Sequence, residues 1–226
     1  MDSEDVATAT QTADQPKGSI SWTRIIVEFT AIVFGVLLGL GLNEWRTSAR
    51  DAQSIQDAEA AIVEELKANF STLMAARNYH EAQYREAIRI LATDSSDYFD
   101  YRGLSAPNTT RAALDAAIAT GRFASIPGDN ARQYMRLYNE IDEVRETERN
   151  YSRAVIGQRP ESYEGFLGFA IMAFSDLLYA EDDALYKMAE PLGMAPPEGW
   201  WSIKPTIDSE YPDAFRKLTT GLDEMD

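Results

Sequence analysis

The 226 residues include no cysteine and a single histidine, His80. The first absence excludes disulfides, thiolate catalysis and thiolate-bound metals. The second excludes a three-histidine zinc centre and any Ser-His-Asp or Cys-His arrangement supported by further histidines. Basic residues are also scarce: 21 Lys and Arg stand against 37 Asp and Glu, a net charge of −16. A surface of that sign repels phosphate backbones, so nucleic acid is not an expected partner, and the charge reads as a solvated acidic face. No phosphate-cradling glycine loop is present; Gly39-Leu40-Gly41 is only a fragment of a dinucleotide fingerprint. No catalytic, cofactor-binding or metal-ligating residue is assigned, and no cofactor is expected.

Residues 1–19 are small, polar and acidic, with nothing to bury, which predicts a disordered tail. At Ile20 the composition changes to ISWTRIIVEFTAIVFGVLLGLGL, ending at Leu42. From Phe29 to Leu42 there is no charge, and only Thr30 is polar. Such a run is long enough to span a bilayer, so residues 20–46 are expected to form a transmembrane anchor. Trp22 and Trp45 lie 23 positions apart, roughly 34 Å along a helix, and so mark the two membrane interfaces. The alternative, a cleaved signal peptide, requires a basic start, a shorter apolar run and a small-x-small cleavage site. This run ends instead in Asn43-Glu44-Trp45-Arg46.

Within the span, Glu28 is costly in lipid unless it faces protein, snorkels or is protonated. Ala31, Gly35 and Gly39 follow at spacings of three, four and four, so all four residues share one helix face. The small residues form a ridge that lets two backbones approach, and the face is expected to be a helix–helix contact with a membrane-protein partner or a second copy. The plainer reading is ordinary membrane-helix glycine with a snorkelling Glu28. Lys17 and Arg24 precede the span and Arg46 and Arg50 follow it, so the positive-inside rule is nearly balanced.

Glu28, Gly35, Asn43 and Trp45 form an E-x6-G-x7-N-x-W pattern that resembles an uncharacterised family of bacterial single-pass membrane proteins. Ile62-Val63-Glu64-Glu65-Leu66-Lys67-Ala68-Asn69 is similar to that family's amphipathic E-L-K-x-N stretch. The segments Leu114 to Ile126 and Ala214 to Leu218 resemble later parts of it. The likeness covers most of residues 25–218. Gly39 and Gly41 replace larger residues, and the family's basic N-terminal flank is nearly missing. The resemblance implies a signal-anchor in a bacterial inner membrane with the C-terminal domain in the periplasm. It implies no reaction.

Residues 47–226 are expected to form an all-α helical bundle. No Gly or Pro interrupts Asn43 to Leu91, and Ile55, Ala58, Ile62, Leu66, Phe70 and Leu73 make an amphipathic stripe. His80 on this helix is read as exposed or at the core edge. A polar loop covers Thr93–Pro107, and Asn108 is expected to cap a short helix ending at Gly121. Asp129 is expected to cap a third helix with Tyr134, Leu137, Ile141, Val144, Tyr151 and Val155 on one face. A fourth helix, about Glu161 to Glu190, has an apolar centre that suits a buried core helix better than a second span. The Trp200-Trp201 pair reads as a flap closing the bundle rather than a ligand platform, and a last helix is expected to end near Gly221. Asp94, Asp97 and Asp100, and Glu181-Asp182-Asp183, lack calcium-loop spacing and read as solvated loop acids. The Asn69, Asn108 and Asn150 N-x-S/T triplets read as chance.

The function expected from all this is a membrane-anchored helical interaction or scaffold module, a subunit of a membrane complex. The alternatives are a carboxylate- or divalent-cation-dependent enzyme and a small-ligand sensor.

Overall fold

A computed structural model describes residues 22–93, 99–100, 103–104, 107–157 and 162–214. Among them the regular structure is entirely helical: α1 (Trp22–Thr93), α2 (Ala112–Ala119), a 3-10 turn (Arg122–Ser125), α3 (Gly128–Gly157), α4 (Tyr163–Leu192) and α5 (Trp200–Glu210). The chain divides into two compact units, Met1–Asp51 and Ala52–Asp226, with the boundary falling inside α1. The expected tail and the acids Asp94 and Asp97 lie outside the described residues, and of the expected final helix only residues 212–214, which are helical, lie within them.

In the first unit, every described side chain from Trp22 to Arg50 is exposed. Fourteen of these are large apolar residues, from Trp22 to Trp45. The helix is long and apolar enough to cross a membrane.

The second unit has two apolar cores. The first gathers Ile62, Leu66, Phe70 and Leu73 of α1 with Leu114 of α2, Leu137, Ile141 and Val144 of α3, and Leu185 and Met188 of α4. Ile55 and Ala58 pack at its edge, as the stripe predicts. The second gathers Tyr84, Ile88 and Leu91 of α1 with Leu167, Ile171, Phe174 and Leu178 of α4, and Trp200 and Ile207 of α5. Early α1 shares a core with late α4, and late α1 with early α4. The two helices are therefore antiparallel neighbours.

The helix ends differ from local expectation in an informative way. α4 begins on Ser162, whose Oγ accepts from the Gly165 N–H at 3.0 Å. It ends on Gly193 at φ +64°, with the Met194 N–H donating to the Ala189 carbonyl at 2.8 Å. Asn108 does not cap α2; the helix starts after Arg111, which makes no side-chain cap bond. Instead Glu65 of α1 accepts from the Ala113 N–H at 2.9 Å. Asn69, one turn on, donates to the Thr110 carbonyl at 2.7 Å and accepts from the Thr110 N–H at 2.9 Å. The Glu65-Leu66-Lys67-x-Asn69 stretch is thus a docking edge: Leu66 is buried and the two polar residues seat the start of α2. Tyr138 of α3 donates to the same Glu65 carboxylate, and Tyr134 donates to Glu59 at 2.8 Å.

α5 contains Pro205 and was not evident from its sequence; Trp200 and Ile207, two turns apart and both fully buried, hold it to the second core. Trp200 meets Tyr84 edge-on with ring centroids 4.7 Å apart. Trp200 therefore belongs to the core rather than to a flap, whereas Trp201 is exposed.

Asn69 is 1% exposed and pairs with both backbone polar groups of Thr110. Asn69→Ala should lower stability by about 1 kcal/mol, because two hydrogen bonds that join α1 to the start of α2 are lost. Denaturant unfolding of the full chain in mild detergent measures it, and a change within error of zero contradicts this account.

Candidate functional site

Between the two cores of the second unit lies a polar layer. Arg77 and His80 come from α1 and Glu181 and Asp182 from α4, on the stretches that separate one core from the other. All four are buried, His80, Glu181 and Asp182 completely. This corrects two expectations from sequence: His80 is neither exposed nor marginal, and of the acidic trio only Asp183 is solvated.

Arg77 is the hub. Its Nε donates to Asp182 Oδ1 at 3.0 Å, Nη2 donates to the Glu198 carbonyl at 3.0 Å, and Nη1 donates to Glu81. The second Asp182 oxygen accepts from the Trp200 N–H. One guanidinium and one carboxylate thereby join α1, α4 and the start of α5. Beside them His80 Nδ1 lies 2.8 Å from Glu181 Oε1. The His80 ring lies near Tyr79 and Phe174, with centroids 5.4 and 5.7 Å away. His80 Nε2 and Glu181 Oε2 are buried with no hydrogen-bond partner among the described residues.

Burial pushes the Glu181 carboxyl above its ordinary range, and the His80 hydrogen bond pulls against it. Burial likewise raises Asp182, opposed by the Arg77 and Trp200 hydrogen bonds. Tyr84, whose hydroxyl donates to Asp208 Oδ1 at 3.0 Å, is also raised, first by burial and then by that carboxylate.

A histidine against a carboxylate is the arrangement of an acid–base pair, but catalysis also requires that a substrate reach it. Here both side chains are fully enclosed. The layer's geometry suits a structural part better: a buried ionic contact that has one satisfactory register. Among the described residues no group of three or more His, Asp and Glu is placed to hold a metal.

The first unit carries the residues singled out from sequence. Glu28, Ala31, Gly35 and Gly39 all lie on α1, where their spacing gives them one face. A Cβ built on Gly35 or Gly39 meets no atom within 4 Å, so the ridge is open. Trp22 and Trp45 stand on the same helix, both exposed. No family model, no curated protein and no solved structure matches this chain.

Two outcomes follow from the polar layer. Arg77→Met should cost about 3–5 kcal/mol by stranding the buried Asp182 charge, and Arg77→Met with Asp182→Asn should recover most of it, since the amide still accepts from Trp200. Equal losses in the single and double variants, read by thermal or denaturant unfolding, contradict the pairing. The second outcome concerns pH. Glu181 and Asp182 hold their protons more tightly folded than unfolded, because their folded pKa values are raised. Their contribution is complete below the ordinary carboxylate range and is lost as pH rises through the raised values. Glu181→Gln should therefore flatten the fall in melting temperature as pH rises above the ordinary carboxylate range, and identical slopes for variant and wild type refute this.

Proposed function

We propose that this is a single-pass membrane protein whose helical domain serves as an interaction or scaffold module, a subunit of a membrane complex. The carrying observation is the run of exposed apolar side chains on α1 from Trp22 to Trp45. Each gains ~1.5–3 kcal/mol when fully removed from water, so immersion of the whole segment in lipid is worth on the order of tens of kcal/mol. Trp22 and Trp45 sit at the two interfaces, and residues 20–46 span the bilayer.

The open face with Glu28, Ala31, Gly35 and Gly39 takes a second membrane helix, from a partner protein or another copy. Close approach at the glycines gains dispersion contacts, and the neighbouring helix offers Glu28 a hydrogen-bonding group. The resemblance to bacterial single-pass proteins supports an inner-membrane location with residues 47–226 in the periplasm. The reading as a carboxylate-dependent enzyme is weaker, because Glu181 and Asp182 are enclosed and engaged by Arg77, His80 and the Trp200 backbone.

The full-length protein should remain with membranes after alkaline extraction, and cross-linking in those membranes should give a discrete adduct. Gly35→Ile should abolish the adduct sterically while leaving the protein inserted. Glu28→Leu should weaken it and Glu28→Gln less so. Recovery of wild type in the alkaline supernatant contradicts the anchor, and an adduct indifferent to Gly35→Ile contradicts the ridge.

A further inference from the structure

α4 buries most of its circumference, and the strip it leaves to water has a repeat of its own. Met172, Tyr179 and Tyr186 are 49%, 44% and 44% exposed, and they are spaced seven apart. Asp176, Asp183 and Glu190 are exposed as well, each four residues after one of the three. The alternation of four and three is that of the a and d positions of a helical seam. From Met172 onward, large apolar or aromatic residues occupy the d positions and carboxylates the a positions, whereas the preceding heptad carries Gly165 and Phe169 there.

Trp201 extends the aromatic row. It is 46% exposed and its ring centroid lies 5.0 Å from that of Tyr186. Its position is fixed from below: a Cβ on Gly199 would lie 2.3 Å from the indole, so the ring rests directly on the glycine backbone.

The two rows select their partner by charge. A second copy packed in parallel, the direction two chains anchored in one membrane would share, would set carboxylate against carboxylate at these a positions, and an anionic lipid surface would meet the same repulsion. A helix with Lys or Arg at a and Leu or Met at d satisfies both rows. Its apolar residues cover the tyrosines, and its cations reach the carboxylates with their stems along the aromatic rings. Lys187 Nζ, on the same helix, lies 2.7 Å from Asp183 Oδ2 and 2.8 Å from Glu140, so one cation of the chain's own is set against three carboxylates of the strip and a neighbouring glutamate. Asp176 accepts from the Tyr151 hydroxyl, and a carboxylate has capacity for further donors.

We infer that the solvent face of α4, together with Trp201, docks a basic amphipathic helix of another protein. This rests on the reading of the chain as an interaction module, and it names a surface separate from the α1 ridge.

The test uses the full chain in nanodiscs of neutral phosphatidylcholine. The probes are a fluorescein-labelled peptide of about four heptads with Lys at a and Leu at d, a counterpart with Glu at a, and a scrambled Lys peptide of the same composition. Empty nanodiscs measure binding to lipid. The Lys peptide should bind saturably and the other two should not. Tyr186→Ala, Trp201→Ala and the pair Asp176→Asn with Asp183→Asn should each weaken binding by roughly tenfold with melting temperature unchanged. Equal binding of the scrambled peptide, absence of binding, or indifference to these variants overturns the proposal. So does a disulfide formed between two copies of Tyr179→Cys, which assigns the face to self-association. Because the chain must already be inserted in the disc, failure of the peptide leaves the membrane anchor standing, whereas failure to insert removes the anchor first.

Discussion

Arg77 and Asp182 meet at 3.0 Å in the interior of the helical domain, between two apolar cores that would otherwise accept many arrangements. The side chains above and below them are chiefly Leu, Ile, Phe, Tyr and Met, which attract one another without direction. Sliding α4 along α1 by one turn, about 5.4 Å, would exchange one apolar contact for another at modest cost. It would also carry Asp182 away from Arg77 and leave two buried charges unpaired, a loss of several kcal/mol. The ionic layer thus gives the antiparallel pair a register that hydrophobic burial does not specify. α5 depends on the same contact, since the Trp200 N–H donates to Asp182 and the Glu198 carbonyl accepts from Arg77.

The layer adds little favourable energy by itself. Desolvating the charges offsets much of their attraction, and the unpartnered His80 Nε2 and Glu181 Oε2 add a further cost. Glu59 and Glu65 act on the same principle at the domain's other seam, where α1 carboxylates receive Tyr134 and Tyr138 of α3 and the α2 N-terminus. α1 presents its apolar stripe to the cores and uses carboxylates to fix what is packed beside it. An acidic composition that reads from sequence as surface charge is partly interior wiring.

What could be read from sequence was what periodicity and run length encode. The α1 stripe from Ile62 to Leu73 and the α3 positions Leu137, Ile141 and Val144 are buried as their spacing requires. The long apolar N-terminal helix was equally evident. What escaped depends on partners distant in sequence. Glu181 and His80 are 101 residues apart, and no local rule distinguishes their neighbourhood from a solvated acidic cluster. The cap of α2 comes from Glu65 and not from the nearby Asn108, for the same reason. α5 was hidden because Pro205 weighs against a helix locally, while the burial of Trp200 and Ile207 decides it. The Gly35 and Gly39 ridge was legible as spacing; its openness depends on what surrounds it in the fold.

The chain exposes fourteen large apolar side chains before Asp51 and builds a polar-layered bundle after it, and the proposed membrane attachment rests on that contrast. Its lack of cysteine makes the central claim directly measurable. Single cysteines placed along α1 from Trp22 to Arg50, with one more at the exposed Ser209, can be tested in spheroplasts with a membrane-impermeant maleimide. The account predicts no labelling at positions such as Leu37 and Leu40, labelling near Arg50, and labelling of Ser209→Cys from outside. Labelling at Leu37 and Leu40 as fast as at Arg50 would contradict a membrane-spanning segment, and protection of Ser209→Cys until the membrane is broken would contradict an exported domain.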